Sequence, residues 1–281
     1  MEIEILSRLN MLSHPGRMAV FRLLMRRLPD EVAAGEIARA LGIKPSTLSV
    51  YLSALSAAGL VLQHREGTSL LYKARTDAAG EIIEFLFADC CRGRPDACAS
   101  LPTSLQRGLP DMSERKYNVL FVCTGNSARS IFAETILRAE SGDRFEVYSA
   151  GTKPYSELNP FALDVLEAKG HETSGLRAKN VSEFQGEDAP KMDFVFTVCN
   201  QAANEECPAW EGQPISAHWG MPDPVKTEGS DAQKSLAFQH AYGALRNRIL
   251  AFTALPLETL DRISLQKAVD SIAVENPKVS A

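Results

Sequence analysis

Residues 119–134 read VLFVCTGNSARSIFAE. An apolar run ends at a cysteine, a short polar loop follows, and an arginine six residues beyond the cysteine opens an apolar-periodic stretch. KYNVLFVC has the unbroken apolar run of a buried parallel-type strand, TGNSARS is a loop, and SIFAETILRAE is a helix. A strand–loop–helix unit of this kind aims the loop's backbone N–H groups at one spot, where the helix dipole adds positive potential. Thr124, Gly125, Asn126, Ser127 and Ala128 line that spot, with Gly125 permitting the turn and Asn126 tying the loop to itself. A tetrahedral oxyanion fits there, gripped by the planar fork of Arg129. Cys123 lies beneath it, its thiolate supported by the same amides and by the hydroxyl of Ser130. That environment predicts a thiol pKa well below ~8.5 and an in-line attack on the central atom of the bound oxyanion.

The remaining constraints are broader. With 281 residues the chain is long enough for two domains, and its 45% hydrophobic and 23% charged residues are ordinary for a globular protein. No apolar run approaches the roughly 20 residues of a membrane helix. The N-terminal MEIEILSRLNML lacks a basic region with a cleavage site, so the expected setting is the cytoplasm, without membrane association. Residues 1–95 hold 12 basic and 10 acidic residues, a net of +2 against −7 for the remainder. That asymmetry suits a DNA-facing N-terminal part followed by an acidic part.

LSHPGRMAVFRLLMRRL predicts a helix with Pro15 near its start and an apolar stripe of Ala19, Leu23 and Leu24. A short helix over 34–41 stops at Gly42, and Pro45 and Ser46 open a second that runs to Gly59, with Ala38, Leu41, Ile43, Leu48, Leu52 and Leu55 as the packing face. Ser46, Thr47, Ser49, Val50 and Tyr51 occupy its solvent side. LVLQHREGTSLLYKA then reads as a hairpin turning at Glu66-Gly67-Thr68. Helix-turn-helix plus wing is a DNA-reading arrangement: the second helix enters the major groove, while His64, Arg65, Lys73 and Arg75 can meet phosphates.

"LSHPGRMAVFRLL", "EIARALGIKPSTLSVYLSAL", "AGLV" and "REGTSLLYKA" together resemble the ArsR/SmtB family of metal-responsive repressors over roughly residues 1–98. The resemblance implies operator DNA as partner and a homodimer formed through a helix over 76–91, where Ile82, Ile83, Leu86 and Phe87 make an apolar face. CCRGRPDAC follows. Cys90, Cys91 and Cys98 offer three thiolates from two directions, a set that suits soft three-coordinate As(III) better than zinc, which takes a fourth ligand. Some family members sense As(III) through such a C-terminal cysteine pair plus a third, and the helix GEIARAL here carries no cysteine of its own. As(III) is thus the expected inducer ligand.

"CTGNSARS", with "YSAGT", "NPFALDVLEAKG", "DFVFTVC" and "HWGMPDP", resembles the low-molecular-weight tyrosine phosphatase fold over residues 117–254. What this implies is a doubly wound parallel α/β sheet with the anion loop at its carboxyl edge, and Asp223, before a proline, as general acid. His218 and Trp219 read as structural. The scaffold hosts both phosphatases and thioredoxin-coupled arsenate reductases. Three features favour the reductase: Cys199 and Cys207 in VCNQAANEECP, Val225 where phosphatases carry an aromatic, and the small polar Thr124 and Ser127. In that reading Cys123 attacks arsenic, Cys199 attacks Cys123, Cys207 attacks Cys199, and thioredoxin reduces the resulting disulfide, with no tightly bound cofactor. Seven residues separate Cys199 from Cys207, where the family's pattern has six.

The expected organisation is therefore a winged helix-turn-helix over 1–98, mainly α with a β-wing; a Pro/Gly/Ser-rich linker at 99–115; the α/β domain at 116–255; and a helical tail at 256–281. In that tail ALPLETLDRISLQKAVDSI predicts one amphipathic helix packing through Leu257, Leu260, Ile263, Leu265 and Val269. Two other functions fit the same residues: a tyrosine phosphatase fused to a repressor, and a DNA-binding regulator whose second domain binds an oxyanion without turnover.

Overall fold

A computed structural model describes residues 2–91, 116–186, 188–205, 210 and 212–275. Its contacts divide the chain into two units, Met1–Gln106 and Arg107–Ala281.

The first unit begins with α1 (Glu2–Leu12) and α2 (Pro15–Arg26). His14 caps α2, its Nδ1 accepting from Gly16 N at 3.1 Å. A two-residue strand β1 (Val32–Ala33) leads into α3 (Ala34–Leu41) and α4 (Pro45–Ala57). Gly42 stops α3 at φ 63°, a left-handed conformation that favours glycine. Strands β2 (Val61–Glu66) and β3 (Ser69–Ala74) form the expected hairpin around Gly67 and Thr68, and β1 adds to it in the antiparallel order β1-β3-β2. α5 (Thr76–Phe85) follows and widens into a π-helical turn at Leu86–Cys90. Leu23, Leu24, Val32, Ile37, Leu48, Leu52 and Leu55 form the core.

This unit corrects the sequence reading in three places. α1 and β1 were not foreseen. The helix expected over 76–91 is α-helical only to Phe85, and Ile82 packs into the unit's own core while Ile83 and Leu86 stay exposed. Tyr51 is half-buried rather than on the open side of α4: its ring lies 5.0 Å from that of His14 and against Gly16.

In the second unit, β4 (Tyr117–Cys123), β5 (Phe145–Gly151), β6 (Phe194–Thr197) and β7 (Ile215–His218) make a parallel sheet of order β5-β4-β6-β7. The doubly wound α/β fold expected from the sequence is present. The helices are α6 (Arg129–Ser141), α7 (Pro160–Ala168), the short α8 (Asn200–Asn204), α9 (Asp231–Thr253) and α10 (Arg262–Glu275). Aromatic rings fill the core. Trp219 stacks on Phe196 at 4.1 Å, and Phe252 meets Phe194 and Phe196 edge-on, each such pair adding about 0.5–1.5 kcal/mol beyond area burial. Trp219 Nε1 donates to the carbonyl of Val269, tying α10 down. The structural roles expected for Trp219 and for His218, which is buried and bonded to Thr197 and Asn200, agree with this packing.

The tail differs from the single helix expected. α10 starts only at Arg262, because Pro256 interrupts the backbone ladder and Asp261 Oδ1 caps the new helix by accepting from Ile263 N and Ser264 N. Leu257, Leu265 and Val269 are buried as expected, whereas Ile263 is exposed.

Candidate active site

Cys123 ends β4 and Arg129 begins α6, so the five residues between them curl at the carboxyl edge of the sheet. Asn126 makes that curl possible. It sits at φ 45°, which asparagine tolerates better than most residues, and its N–H donates to Cys123 Sγ at 3.1 Å. Ser130 Oγ is hydrogen-bonded to the same sulfur at 2.9 Å. Residues 123–129 line a cleft of about 320 Å³ together with Tyr155, Cys199, Asn200, Gln201 and the 221–226 segment. The structure thus brings Cys123, Thr124, Gly125, Asn126, Ser127, Ala128, Arg129, Cys199 and Asp223 to one place, with Ser130 just behind the sulfur.

Cys199 follows β6 and caps α8, its sulfur accepting from Ala202 N at 3.4 Å. Thr124 Oγ1 is bonded to that sulfur at 3.4 Å, so one residue of the 124–128 loop spans from the first thiol to the second. Both thiols are buried, at 3% and 2% exposure. Cys207 lies outside the described residues.

The acid-bearing segment closes the far side. Asp223 Oδ2 meets Arg129 Nη2 at 2.9 Å, and Arg129 Nη1 donates to the carbonyl of Met221 at 3.3 Å. Asp223 also accepts from Val225 N, capping the turn Pro224–Lys226. It is therefore both a turn residue and a cleft residue. Val225 stands at the rim with no aromatic beside it on that segment. On the opposite rim Tyr155, 60% exposed, lies over Gly125; a Cβ at Gly125 would come within 2.5 Å of its ring.

The electrostatics depart from the expected lowering of the Cys123 pKa. Burial pushes the thiol up, the neighbouring Cys199 adds to that, and Ser130, Arg129 and the Asn126 N–H pull it down less strongly. The sequence showed the donors around the sulfur but not how completely the strand end is buried.

Sequence reasoning missed Tyr155, Asn200 and Gln201. It also missed a buried set behind the loop, Glu134, Ser149 and Lys179, although a glutamate among the apolar residues of SIFAETILRAE was a signal.

In the first unit Ser46, Thr47, Ser49 and Val50 are exposed along α4, and Arg65 is exposed on the wing. His64 Nδ1 lies 2.8 Å from Glu31 Oε2, and Arg75 pairs with Asp77. Cys90 is exposed and Cys91 half-buried. Cys98 lies outside the described residues, and among those described no cluster of three or more His, Cys, Asp or Glu side chains is placed to hold a metal ion.

Residues 118–263, just over half of the chain, match the model of the low molecular weight phosphotyrosine protein phosphatase family. The chain belongs to that family. Residues 12–64 match a helix-turn-helix domain model. Among curated relatives, an arsenate reductase of Halalkalibacterium halodurans is 35% identical over 134 residues, covering 48% of this chain and 93% of the relative. One of Bacillus subtilis is 33% identical over 134 residues with the same coverage. A solved structure described as an arsenate reductase in the phosphate binding state is 27% identical, covers 48% of this chain and 94% of its own, and has a TM-score of 0.40.

Proposed function

We propose that this phosphatase-family unit is an arsenate reductase, joined through a linker at 99–115 to an As(III)-responsive DNA-binding repressor. The observation that carries the enzymatic reading is the second buried thiol. Cys199 shares a cleft with Cys123, Arg129 and Asp223, whereas ester hydrolysis at such a loop needs one cysteine. The named activity of the relatives supports the same substrate.

Arsenate sits in the loop, held by backbone N–H groups and the Arg129 fork. The Cys123 thiolate attacks arsenic, and a proton from Asp223 lets one oxygen leave as water. Cys199 then attacks the Cys123 sulfur. The S–As bond breaks with its electron pair remaining on arsenic, so As(V) becomes As(III) while two thiols become the Cys123–Cys199 disulfide. Cys207 attacks Cys199 and frees Cys123, and a dithiol donor of the thioredoxin type reduces the Cys199–Cys207 bond. The chemistry needs a reducing setting, for which we take the cytoplasm.

For the first unit, the exposed Ser46, Thr47, Ser49 and Val50 suit the major groove and Arg65 suits backbone phosphate. Ile3 and Leu6 on α1, with Ile83 and Leu86 on α5 and its extension, are exposed apolar side chains suited to a homodimer contact. As(III) captured by Cys90, Cys91 and Cys98 would release operator DNA.

Tyr155 favours a second reading. An exposed ring at the cleft mouth can stack on an aryl phosphate, as a tyrosine phosphatase requires. Parallel assays separate the two: arsenate reduction with thioredoxin, and hydrolysis of p-nitrophenyl phosphate. Replacing Cys199 by Ser is expected to stop sustained arsenate reduction; a phosphatase would keep turning over its ester.

A further inference from the structure

Strand β7 ends at His218, and residues 219–222 carry the chain on to Asp223. Trp219 N still donates to the carbonyl of Thr197 at 2.8 Å. Beyond it the chain leaves the sheet but stays buried: Trp219 is 0% and Met221 7% exposed, and Gly220 is buried between them. Buried carbonyls there need donors from outside the sheet. Two guanidinium groups supply them. Arg248 on α9, itself 3% exposed, sends Nη1 to the Trp219 carbonyl at 2.7 Å and to the Gly220 carbonyl at 3.3 Å. Arg129 sends Nη1 to the Met221 carbonyl and Nη2 to Asp223. The carbonyls of Trp219, Gly220 and Met221 thus all face arginines. On its other side Gly220 is pressed against His218 and Asn200, where a Cβ would come within 2.4 Å of the ring and 2.6 Å of the amide oxygen. The main chain at Gly220 passes through a slot that Arg248 closes.

The two arginines differ in their other duties. Arg129 lines the cleft, and its fork is the group that an oxyanion would take. Arg248 lies outside the cleft lining, so a bound oxyanion does not compete for it.

We propose that Arg248 is a positioning residue for the general acid: it holds the main chain of 219–221 when a bound oxyanion draws Arg129 away from Met221 and Asp223, and so keeps Asp223 aimed at the oxygen that leaves. The proposal rests on Asp223 being the acid of the proposed reduction. Were Arg248 there for stability alone, its removal would lower the unfolding temperature equally with the cleft filled or unfilled.

The test is hydrogen exchange of the 219–226 peptide in the full-length protein, with and without saturating inorganic phosphate, followed by arsenate turnover. In the wild type phosphate is expected to leave exchange of that peptide unchanged. In Arg248→Met it is expected to speed it about tenfold, the scale of one hydrogen bond to a charged group. In turnover Arg248→Met is expected to lower kcat about tenfold, with KM for arsenate and the rate of Cys123 alkylation by iodoacetamide both unmoved. Added to Asp223→Asn, it is expected to lower kcat no further. Arg248→Lys keeps a buried cation and is expected to lie between Met and wild type; it decides the matter if Arg248→Met does not fold. Exchange in the folded variant that ignores phosphate, a wild-type kcat, or alkylation of Cys123 that falls along with kcat overturns the proposal. Asp223→Asn with wild-type turnover would instead sink the acid assignment, and the exchange measurement needs no turnover, so the two readings fail separately.

Discussion

Cys123 and Cys199 are buried at the carboxyl edge of a parallel sheet, hydrogen-bonded to Ser130, Asn126, Thr124 and Ala202. Cys90 is exposed and Cys91 half-buried where α5 runs out into a π-helical turn. The two sets of thiols suit opposite tasks. Attack on an oxyanion needs one fixed line of approach, so sulfur, amides and arginine are held by packing before the substrate arrives. Capture of a soft ion needs thiols that can be reached from solvent and can close around it.

The comparison is broken most severely at Cys123. Cys123→Ser is expected to lower arsenate reduction by at least about 10³-fold while operator binding stays as in the wild type; loss of both together in a folded variant would mean the two sets of thiols are not separate. Replacing Cys90, Cys91 and Cys98 together by Ser is expected to do the reverse: As(III) no longer releases operator DNA in a mobility-shift titration, and arsenate turnover is kept. Arg129→Lys comes next, with kcat/KM falling about 10²-fold, since a lysine loses both the fork for the oxyanion and the contact to Asp223. In the first unit, Leu52→Ala is expected to cost about 2–5 kcal/mol, read as a lowered unfolding transition, with Cys123 alkylation unmoved.

The smallest effect is one of pH. Burial and Cys199 push the Cys123 thiol above its ordinary value, so its thiolate fraction, and with it alkylation of Cys123, rises with pH through the alkaline range. Replacing Cys199 by Ser removes one cause and is expected to move that profile modestly towards lower pH.

The residues whose chemistry is local were legible in the sequence. Cys123, Gly125, Asn126, Arg129 and Ser130 lie within eight positions, and the strand before and helix after them follow from hydrophobic pattern alone. Gly42 and Pro45 marked the helix-turn-helix for the same reason. What escaped depends on distant partners. Glu134 and Lys179 are far apart in the chain and meet only when β5 and the segment after α7 close behind the loop. α1 escaped because its burial mixes residue types: Arg8 is buried beside Ile5, bonded to Glu81, Glu4 and the Ala58 carbonyl, while Ile3 and Leu6 are exposed. The direction of the Cys123 shift escaped because burial is a property of the assembled sheet.

Disulfide mapping after one equivalent of arsenate under anaerobic conditions tests the relay most directly. The expected result is one arsenite released per chain, Cys123 recovered as a free thiol and Cys199 bonded to Cys207, with Cys123–Cys199 accumulating instead in Cys207→Ser. Arsenate recovered unchanged with every thiol still reduced would contradict it.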